Sequence, residues 1–319
     1  SDIALEAGTS VSTVSRVLSG AGGGKVSEAV RRRVEEVARR LGYRPNLIAR
    51  SLRKGKTNTV ALLLPDIANP WFGAIASLVE QSLHRHGYTL MLANSGEDPD
   101  REAEYLALLP QKGIDGLIVA PLLRSRKALD QLLPEELPLV VFDRPVPGVK
   151  ACVSTDPAQQ TGILADTLER VGVKKVAMVS GPAHIVTHRV RDELIARRFN
   201  VIARHEGPAQ QETGRQAFIR FLSLRPDAIV CTNNFLGEGV IDAIEKIEDP
   251  PIIACYDQIA MMHLLPLPIV CSVQDVPLMS EKCVELLLAQ LEGRPGPAEP
   301  IELQARCVTN QRFQSLSPA

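Results

Sequence analysis

The sequence lacks the features that mark several classes of protein. No apolar run reaches the roughly 18 residues that a membrane span needs, and no secretory-signal pattern opens the chain. The six cysteines include no Cys-x-x-Cys pair, which favours buried reduced thiols over a metal site or a disulfide framework. We therefore expect a cytoplasmic protein without a membrane partner.

Catalytic and cofactor-binding patterns are also missing. No Ser-His-Asp or Cys-His grouping can be placed from the sequence. His184 and His188 stand four residues apart, as a metal pair on a helix would, but no third ligand accompanies them. The glycine run before Lys25 has Ser19 and Val26 where a phosphate-binding loop requires other residues. These absences favour a protein that binds without catalysis and imply no cofactor and no metal.

Two short helices joined by a tight turn are the pattern of the first 18 residues. Gly8 can adopt the left-handed turn, and Ser10 can cap the second helix. The face of that helix opposite its apolar residues carries Val11, Ser12, Ser15 and Arg16. The pattern is typical of a helix-turn-helix whose second helix enters the major groove of DNA. Two helices of an ordinary all-helical domain are the alternative.

The distribution of charge supports DNA binding. Residues 1–58 hold 12 Lys and Arg against 5 Asp and Glu, whereas the remaining residues hold 24 against 32. A basic head on an acidic body is what binding to phosphates would select. A third helix, predicted from Ser27 to Leu41, contributes several arginines outside its apolar face.

From residue 59 onward, short apolar strands alternate with helices. The predicted strands are Val60–Leu64, Thr89–Leu92, Gly116–Val119, Leu139–Phe142, Val176–Val179, Val201–Ile202, Ala228–Cys231 and Ile252–Cys255. Continuous apolar strands are typical of parallel sheets buried on both faces, so the pattern predicts two α/β lobes. Ligands of such sheets bind beyond the carboxyl ends of the strands, which places a site between the lobes.

Polar and aromatic residues follow those strands. The candidate ligand-binding residues are Asp66, Asn69, Trp71, Phe72, Ser95, Asp143, Arg144, Arg189, Asn234 and Asp257. Carboxylates, amides and guanidiniums beside an aromatic face suit a hydroxyl-rich ligand such as a sugar or a nucleoside. Arg191 is an alternative to Arg189, and each Asp or Asn could instead cap the helix that follows it.

Taken together, the motifs resemble the lactose-repressor and galactose-repressor (LacI/GalR) family of bacterial transcription regulators. The matching segments, in family order, are Ser10–Leu18, Gly42–Asn46, Ala49–Leu52, Asp66–Phe72, Gly113–Val119 and Asp143–Arg144. The resemblance covers nearly the whole chain and weakens after residue 180. It implies a dimeric repressor that binds a palindromic DNA operator and is controlled by a small carbohydrate-like effector, a sugar or a sugar phosphate.

The resemblance also implies an all-α head with a hinge helix, followed by a two-lobed α/β core like that of periplasmic sugar-binding proteins. The implied domains are a helix-turn-helix at 1–45, a hinge and linker at 46–58, an N-terminal lobe at 59–156 and 276–303, and a C-terminal lobe at 157–275 and 304–319. The implied DNA contacts are Ser10, Val11, Ser12, Thr13, Ser15, Arg16, Asn46, Ala49 and Leu52. Leu52 would be the wedge that paired hinge helices insert into the minor groove.

Departures from the family pattern bear on the effector. The family has Arg-Leu-x-Gly-Tyr/Phe where this chain has Arg189-Val-Arg-Asp-Glu193, and it has Asn-Asp where this chain has Asn233-Asn234. A phosphorylated sugar, an unusual ligand or a degenerate pocket is therefore an alternative to a standard sugar, and control by a protein corepressor is a further alternative. A sugar-binding transport protein and an enzyme on the same core are alternatives of a different class. No tetramer-forming tail follows Phe313, and we expect a dimer.

Overall fold

The computed structural model describes most of the chain. The described ranges are 2–18, 26–43, 55–244 and 249–316. They belong to two compact units, Ser1–Thr57 and Asn58–Ala319. The predicted hinge residues Asn46, Ala49 and Leu52 lie outside the described ranges. Within those ranges, no helix combines the length and the apolarity that crossing a membrane would require.

The first unit is helical, as predicted. Its helices are α1 (Asp2–Glu6), α2 (Val11–Leu18) and α3 (Glu28–Arg40). Gly8 has a φ of +59°, and the Ser10 Oγ accepts a hydrogen bond from the Thr13 N–H at 3.2 Å, so the predicted turn and cap are both present. The three helices pack a small core around Ile3, Val14 and Val34.

Two arginines of α3 hold the first unit together. The Arg33 Nε and Nη2 donate to the Ala7 carbonyl oxygen at 2.9 and 2.7 Å, and Arg40 pairs with Glu6. Ala7 directly follows the last residue of α1, and backbone carbonyl groups at a helix C-terminus lack helical partners. Part of the basic character of α3 therefore stabilises the turn between α1 and α2.

The second unit alternates strands and helices. Its strands are β1 (Thr59–Leu64), β2 (Thr89–Asn94), β3 (Gly116–Val119), β4 (Leu139–Phe142), β5 (Cys152–Thr155), β6 (Lys175–Ser180), β7 (Asn200–Glu206), β8 (Ala228–Cys231), β9 (Ile252–Tyr256), β10 (Ile269–Val273), β11 (Ile301–Leu303) and β12 (Arg306–Thr309). Its helices are α4 (Pro70–Arg85), α5 (Pro99–Gln111), α6 (Arg126–Leu132), α7 (Pro157–Arg170), α8 (Val186–Ala196), α9 (Gln211–Phe221), α10 (Asn234–Ala243), α11 (Val276–Leu291) and α12 (Gln311–Gln314).

The strands form two sheets, and the two predicted α/β lobes are confirmed. The first sheet has the order β11-β5-β4-β3-β1-β2, and all its pairs are parallel. The second has the order β12-β10-β9-β8-β6-β7, in which β12 runs antiparallel to β10. Strand β12 was not among the predicted strands, and its antiparallel direction is an addition to the predicted parallel sheets. The expectation that the strands are buried on both faces is wrong at β2, because that strand lies at a sheet edge with Leu92 exposed.

The chain crosses between the sheets three times. It passes from β5 through α7 to β6, returns from β10 through α11 to β11, and crosses again to β12. Helix α11 packs on the first sheet beside α4, where Met279 and Leu287 share a core with Ile75 and Val79. The carboxyl ends of the main parallel strands in each sheet carry the residues of the cavity described below.

Buried cysteines fill the second sheet. Cys231, Cys255 and Cys271 lie in register on the neighbouring strands β8, β9 and β10, and each is fully buried. Burial is the main cause that raises the pKa of all three thiols, to about 12 for Cys271. They act as small apolar groups in the core, as the sequence predicts.

Candidate functional site

The outward face of α2 is the first candidate site. Val11 is 59% exposed, whereas Val14 and Val17, one turn along and beyond, are buried. Ser12 and Arg16 are exposed on the same side as Val11. This face therefore combines an apolar group, a hydroxyl and a guanidinium, which are groups that can contact the thymine methyl, base edges and phosphates.

A cluster of hydroxyl groups stands at the start of α2. The Ser10 Oγ lies 2.8 Å from the Ser12 Oγ and 2.9 Å from the Thr13 Oγ1. The first N–H groups of a helix lack intrahelical acceptors, and hydroxyls beside them can share an anionic oxygen. The arrangement suits contact with a DNA phosphate.

The second candidate site is a cavity of about 60 Å3 between the two lobes of the second unit. Its lining residues are Asp66, Asn69, Trp71, Phe72, Glu97, Asp143, Arg144, Thr187, His188, Arg191, Ala209, Asn233, Phe235, Asp257 and Gln274. Most of them follow strand ends or begin helices, as expected for a parallel-sheet protein.

Two aspartates reach the cavity by the same backbone device. Asp143 follows β4 with a φ of +61°, and Asp257 follows β9 with a φ of +66°. Their N–H groups donate to carbonyl oxygens of the neighbouring strands, Val153 at 3.0 Å and Ser272 at 2.9 Å. Burial raises the pKa of both carboxyls, and the guanidinium that most opposes the shift is that of Arg144 at Asp143 and that of Arg191 at Asp257. The left-handed conformation thus ends each strand and leaves a carboxylate at the cavity wall.

Arg191 is the arginine that the second lobe contributes. Its Nη1 donates to the Thr232 carbonyl oxygen at 2.8 Å and lies 3.9 Å from the Asp257 Oδ2. Its guanidinium carbon lies 4.6 Å from the centre of the Tyr256 ring. Buried on these contacts, Arg191 presents a fixed fork of donors to the cavity.

Arg189, which the sequence analysis placed at the site, points elsewhere. It is half exposed and pairs with Glu193 one turn along α8, with an N–O distance of 3.1 Å. Residues two apart on a helix lie about 200° around its axis from each other, so only one of Arg189 and Arg191 can face the cavity. The placement of Arg189 is corrected in favour of Arg191.

Glu97 is a cavity residue that the sequence analysis did not identify. Both terminal nitrogens of Arg144 donate to its carboxylate, at 3.0 and 2.6 Å, and the Arg144 Nε lies 3.6 Å from the Asp143 Oδ2. Glu97 has a φ of +59° in the loop after β2, and its side chain reaches Arg144 at the cavity. The predicted residue Ser95 lies in the same loop, so the strand-end signal pointed to the correct segment.

Aromatic rings form one wall of the cavity. The ring centroids of Trp71 and Phe72 lie 4.8 Å apart in an edge-to-face arrangement, and Trp71 stacks on Phe142 at 6.3 Å. The Trp71 Nε1, the Arg144 Nε and the Gln160 Nε2 are buried without a hydrogen-bond partner among the described residues. Because buried donors are normally paired, these groups indicate a place for acceptor atoms of a ligand or of water.

His188 adds a neutral side chain to the site. Its Nδ1 lies 2.8 Å from the Thr232 Oγ1. Burial, and then the charges of Arg191 and Arg144, lower the His188 pKa to about 3, so the imidazole is uncharged at neutral pH. His184 lies outside α8, and the described ranges contain no group of three or more candidate metal ligands.

Two other predicted residues lie behind the cavity wall. Ser95 is buried, and its Oγ donates to the Leu64 carbonyl oxygen at 3.4 Å. Asn234 is buried and accepts a hydrogen bond from Asn69, while its neighbour Asn233 lines the cavity. Asn69 lines the cavity and also caps α4 through the Trp71 N–H at 3.0 Å, so its capping role is present.

Two family models match the chain. The model described as "Bacterial regulatory proteins, lacI family" matches residues 1–46, and "Periplasmic binding proteins and sugar binding domain of LacI family" matches residues 57–248. The transcriptional regulator PtxS of Pseudomonas putida is 31% identical over 97% of this chain and 94% of its own length. The ribose operon repressor of Bacillus subtilis is 31% identical over 95% of this chain and 94% of its own length.

Solved structures show the same fold. The lac repressor dimer bound to operator and an anti-inducer has a TM-score of 0.84 at 20% identity, covering 98% of both chains. The Cra regulator of Pseudomonas putida in complex with fructose 1-phosphate has a TM-score of 0.71 at 23% identity, covering 79% of this chain and 98% of its own.

Proposed function

The chain belongs to the lacI family of bacterial regulatory proteins, and we propose that it acts in the cytoplasm as a dimeric repressor controlled by a small hydroxyl-rich effector. One observation carries the proposal. The same chain holds a helix-turn-helix with an outward polar face and a core cavity lined by carboxylates, guanidiniums and aromatic rings. The first binds an operator, and the second binds the effector.

The DNA-binding roles divide along α2. We assign base contacts to Val11, Ser12 and Arg16, and phosphate contacts to Ser10, Thr13 and Ser15. The exposure of Val11, Ser12 and Arg16 and the hydroxyl cluster at Ser10 support this assignment. The hinge contacts Asn46, Ala49 and Leu52 stay predictions from the resemblance. In this division the phosphate contacts fix the register of the helix and the base contacts select the sequence.

We also propose the domain bounds that the resemblance implies. We assign 1–45 to the head, 46–58 to the hinge and linker, 59–156 with 276–303 to the N-terminal lobe, and 157–275 with 304–319 to the C-terminal lobe. The first sheet draws β11 from the second of the N-terminal segments, and the second sheet draws β12 from the second of the C-terminal segments. These two strands support the proposal that each lobe is built from two stretches of chain.

The side chains that line the cavity suit a sugar in their chemistry, although a sugar is larger than the present volume of about 60 Å3 and would require the lobes to open around it. Asp143 and Asp257 can accept from hydroxyls, Arg191 can donate to them, and the Trp71 ring supplies an apolar face. A relative of similar length is named a ribose operon repressor, and one solved relative of the same fold holds fructose 1-phosphate. Both support a carbohydrate effector in this cavity.

Effector binding would couple to DNA binding through the lobes. The cavity residues come from both lobes, so a ligand that contacts both changes the free energy of one lobe orientation relative to another. If that orientation favours or disfavours the operator-bound head, the effector and the operator alter each other's affinity by the same factor.

Selection of bound fragments from random DNA tests the proposal. The full chain at near-physiological salt is expected to recover a palindrome, because a two-fold dimer presents two identical recognition helices. A panel of sugars and sugar phosphates added to the recovered complex is expected to contain a compound that changes its affinity. Recovery of no motif in the presence or absence of the panel contradicts the proposal, and a recovered palindrome that no compound affects contradicts its effector part.

A further inference from the structure

The cavity contains more carboxylates than cations. Its acidic side chains are those of Asp66, Glu97, Asp143 and Asp257, and its basic side chains are those of Arg144 and Arg191. The cavity histidine is neutral because burial and the two arginines lower its pKa. An anionic ligand would therefore enter a site whose acidic side chains outnumber its basic side chains.

Arg144, the cation nearest to the loop after β2, is already paired. Both of its terminal nitrogens bond the Glu97 carboxylate, and Asp143 lies on its Nε side. A two-pronged contact of this kind is the one that a phosphate or carboxylate ligand would itself need from an arginine. The Arg144 side chain is only 8% exposed, and that of Glu97 is 28% exposed, so the pair is largely shielded from water. Glu97 thus occupies the position of an anionic ligand group.

Two of the Arg191 N–H donors are bonded to the protein, and the Arg191 charge is also balanced. Its Nη1 bonds the Thr232 carbonyl oxygen, its Nη2 lies 3.3 Å from the Gln160 Oε1, and Asp257 balances its charge. What the cavity offers instead is a mixture of unpaired donors, such as the Trp71 Nε1, and carboxylate acceptors. A hydroxyl group both donates and accepts, whereas a phosphate dianion or a carboxylate only accepts. The mixture therefore matches hydroxyl groups and opposes anions.

We propose that Glu97 is a specificity-determining residue that prevents anionic effectors from binding in the cavity, so that the effector is an uncharged sugar and not a phosphorylated or acidic sugar. The inference rests on the proposed carbohydrate-binding function of the same cavity. An anion could take Arg144 only by displacing Glu97 or by sitting beside it, and both arrangements place like charges together in a poorly solvated site.

Paired probes test the choice of ligand. D-Ribose with D-ribose 5-phosphate, D-fructose with D-fructose 1-phosphate, and D-glucose with D-glucuronate differ mainly in one anionic group. Binding to the full-length protein is measured by calorimetry and by the shift in melting temperature. At least one uncharged member is expected to bind, with about 10-fold or greater preference over its anionic partner. Equal or tighter binding of the anionic partner overturns the inference and leaves the proposed function standing.

A variant isolates the role of Glu97. Glu97→Gln keeps the size of the side chain and removes its charge, which frees Arg144 for another anion. We expect the preference for uncharged probes to fall about 10-fold in this variant. Glu104→Gln is the matched control, because Glu104 is an exposed residue of the nearby helix α5 and does not line the cavity.

Inorganic phosphate provides a test that needs no sugar. We expect it to raise the melting temperature of Glu97→Gln and to leave that of the wild type and of Glu104→Gln unchanged. If the three proteins respond alike, the inference is overturned whatever the sugars do. If Glu97→Gln alone responds but no probe binds the wild type, the role of Glu97 is supported and the proposed carbohydrate effector is wrong.

Discussion

Asn69 and Asn234 form a hydrogen bond that joins the two lobes. The Asn69 Nδ2 donates to the Asn234 Oδ1 at 3.1 Å, and both side chains are buried. Asn69 caps α4 beside the first sheet, and Asn234 begins α10 beside the second. Since Asn69 lines the cavity, this bond links the cavity wall of the first lobe to a helix of the second lobe.

A double-mutant cycle measures the strength of this bond. Asn69→Ala and Asn234→Ala each remove one partner, and the double variant removes both. We expect a coupling free energy of about 0.5–1.5 kcal/mol in urea unfolding, the usual net value of a buried hydrogen bond. The cycle cancels the separate loss of the α4 cap in Asn69→Ala. A coupling of zero would show that the two side chains do not stabilise the lobe orientation.

The exchange of Arg189 for Arg191 at the site gives a second prediction. Arg191→Lys retains a positive charge but loses the fork that bonds Thr232 and faces Asp257, so effector binding should weaken by about 1–3 kcal/mol. Arg189→Lys should bind the effector as the wild type does, because Arg189 faces solvent and Glu193. Calorimetry with an uncharged sugar that binds the wild type compares the two. A larger loss of effector affinity in Arg189→Lys than in Arg191→Lys would show that Arg189, and not Arg191, contacts the effector.

The recognition helix gives a third prediction. Arg16→Ala should lower affinity for the selected operator by about 1–3 kcal/mol while leaving salt-sensitive binding to unrelated DNA. Arg32→Ala is the control, because Arg32 is an exposed residue of α3 that pairs with Glu28 on its own helix. Titrations with the operator and with unrelated DNA at two salt concentrations separate sequence-specific binding from salt-sensitive non-specific binding. Unchanged sequence preference in Arg16→Ala would contradict the placement of the recognition helix.

The buried histidine gives a prediction about pH. The His188 pKa is lowered to about 3, against an ordinary value of 6.5, so below pH 6.5 the unfolded chain binds a proton that the folded chain does not. The free energy of unfolding should therefore fall as pH falls from 6.5 toward 3, with a contribution from this residue of up to about 1.4 kcal/mol per pH unit.

Two histidine variants test whether His188 causes this pH dependence of the free energy of unfolding. His188→Asn keeps a polar group beside Thr232 but cannot take up the proton, so its stability should depend less on pH between 4 and 6 than that of the wild type. His263→Asn, at an exposed position, should retain the wild-type dependence. Urea unfolding at several pH values makes the comparison. Parallel curves for His188→Asn and the wild type would mean that His188 does not remain neutral in the folded protein.

Close packing of α9 on α10 gives a fifth prediction. A Cβ at Gly239 would overlap the Gln211 carbonyl oxygen, which a rigid backbone cannot avoid. Gly239→Ala should therefore cost about 3 kcal/mol or more. Gly162→Ala, in the middle of α7 with open space around its Cβ, should instead stabilise by up to about 1 kcal/mol. Urea unfolding of both variants distinguishes a packing requirement from a general intolerance of alanine.

Most of the core could be predicted from the sequence because its strands are continuous apolar runs. β3, β4 and β8 have the predicted bounds, and the other predicted strands extend by a few residues. Four strands, β5, β10, β11 and β12, were not predicted. For β11 and β12 the reason is that strands of three and four residues with exposed positions carry no apolar run. The antiparallel direction of β12 could not be predicted, since the pattern of a short strand does not fix its direction.

The candidate site was predicted in outline and missed in detail for a physical reason. A strand end identifies the segment that reaches the cavity, but rotation about a helix or a loop decides which side chain does so. Arg191 lines the cavity and Arg189 does not, because the two residues face different sides of the same helix. Glu97, two positions after Ser95, lines the cavity and has a left-handed backbone conformation. Gln274, whose Nε2 donates to the Asp257 Oδ1 at 3.2 Å, follows β10, a strand that was not predicted.

The packing of α11 on α4 has a consequence for synthesis of the chain. Residues 70–85 leave the ribosome well before residues 276–291, and at about 5–20 residues per second the delay is on the order of 10–40 s. Through that interval the apolar face of α4, with Ile75 and Val79, has no α11 to cover it. The first lobe to be translated is thus among the last to close, and the nascent chain presents an uncovered apolar surface to chaperones while the second lobe is being made.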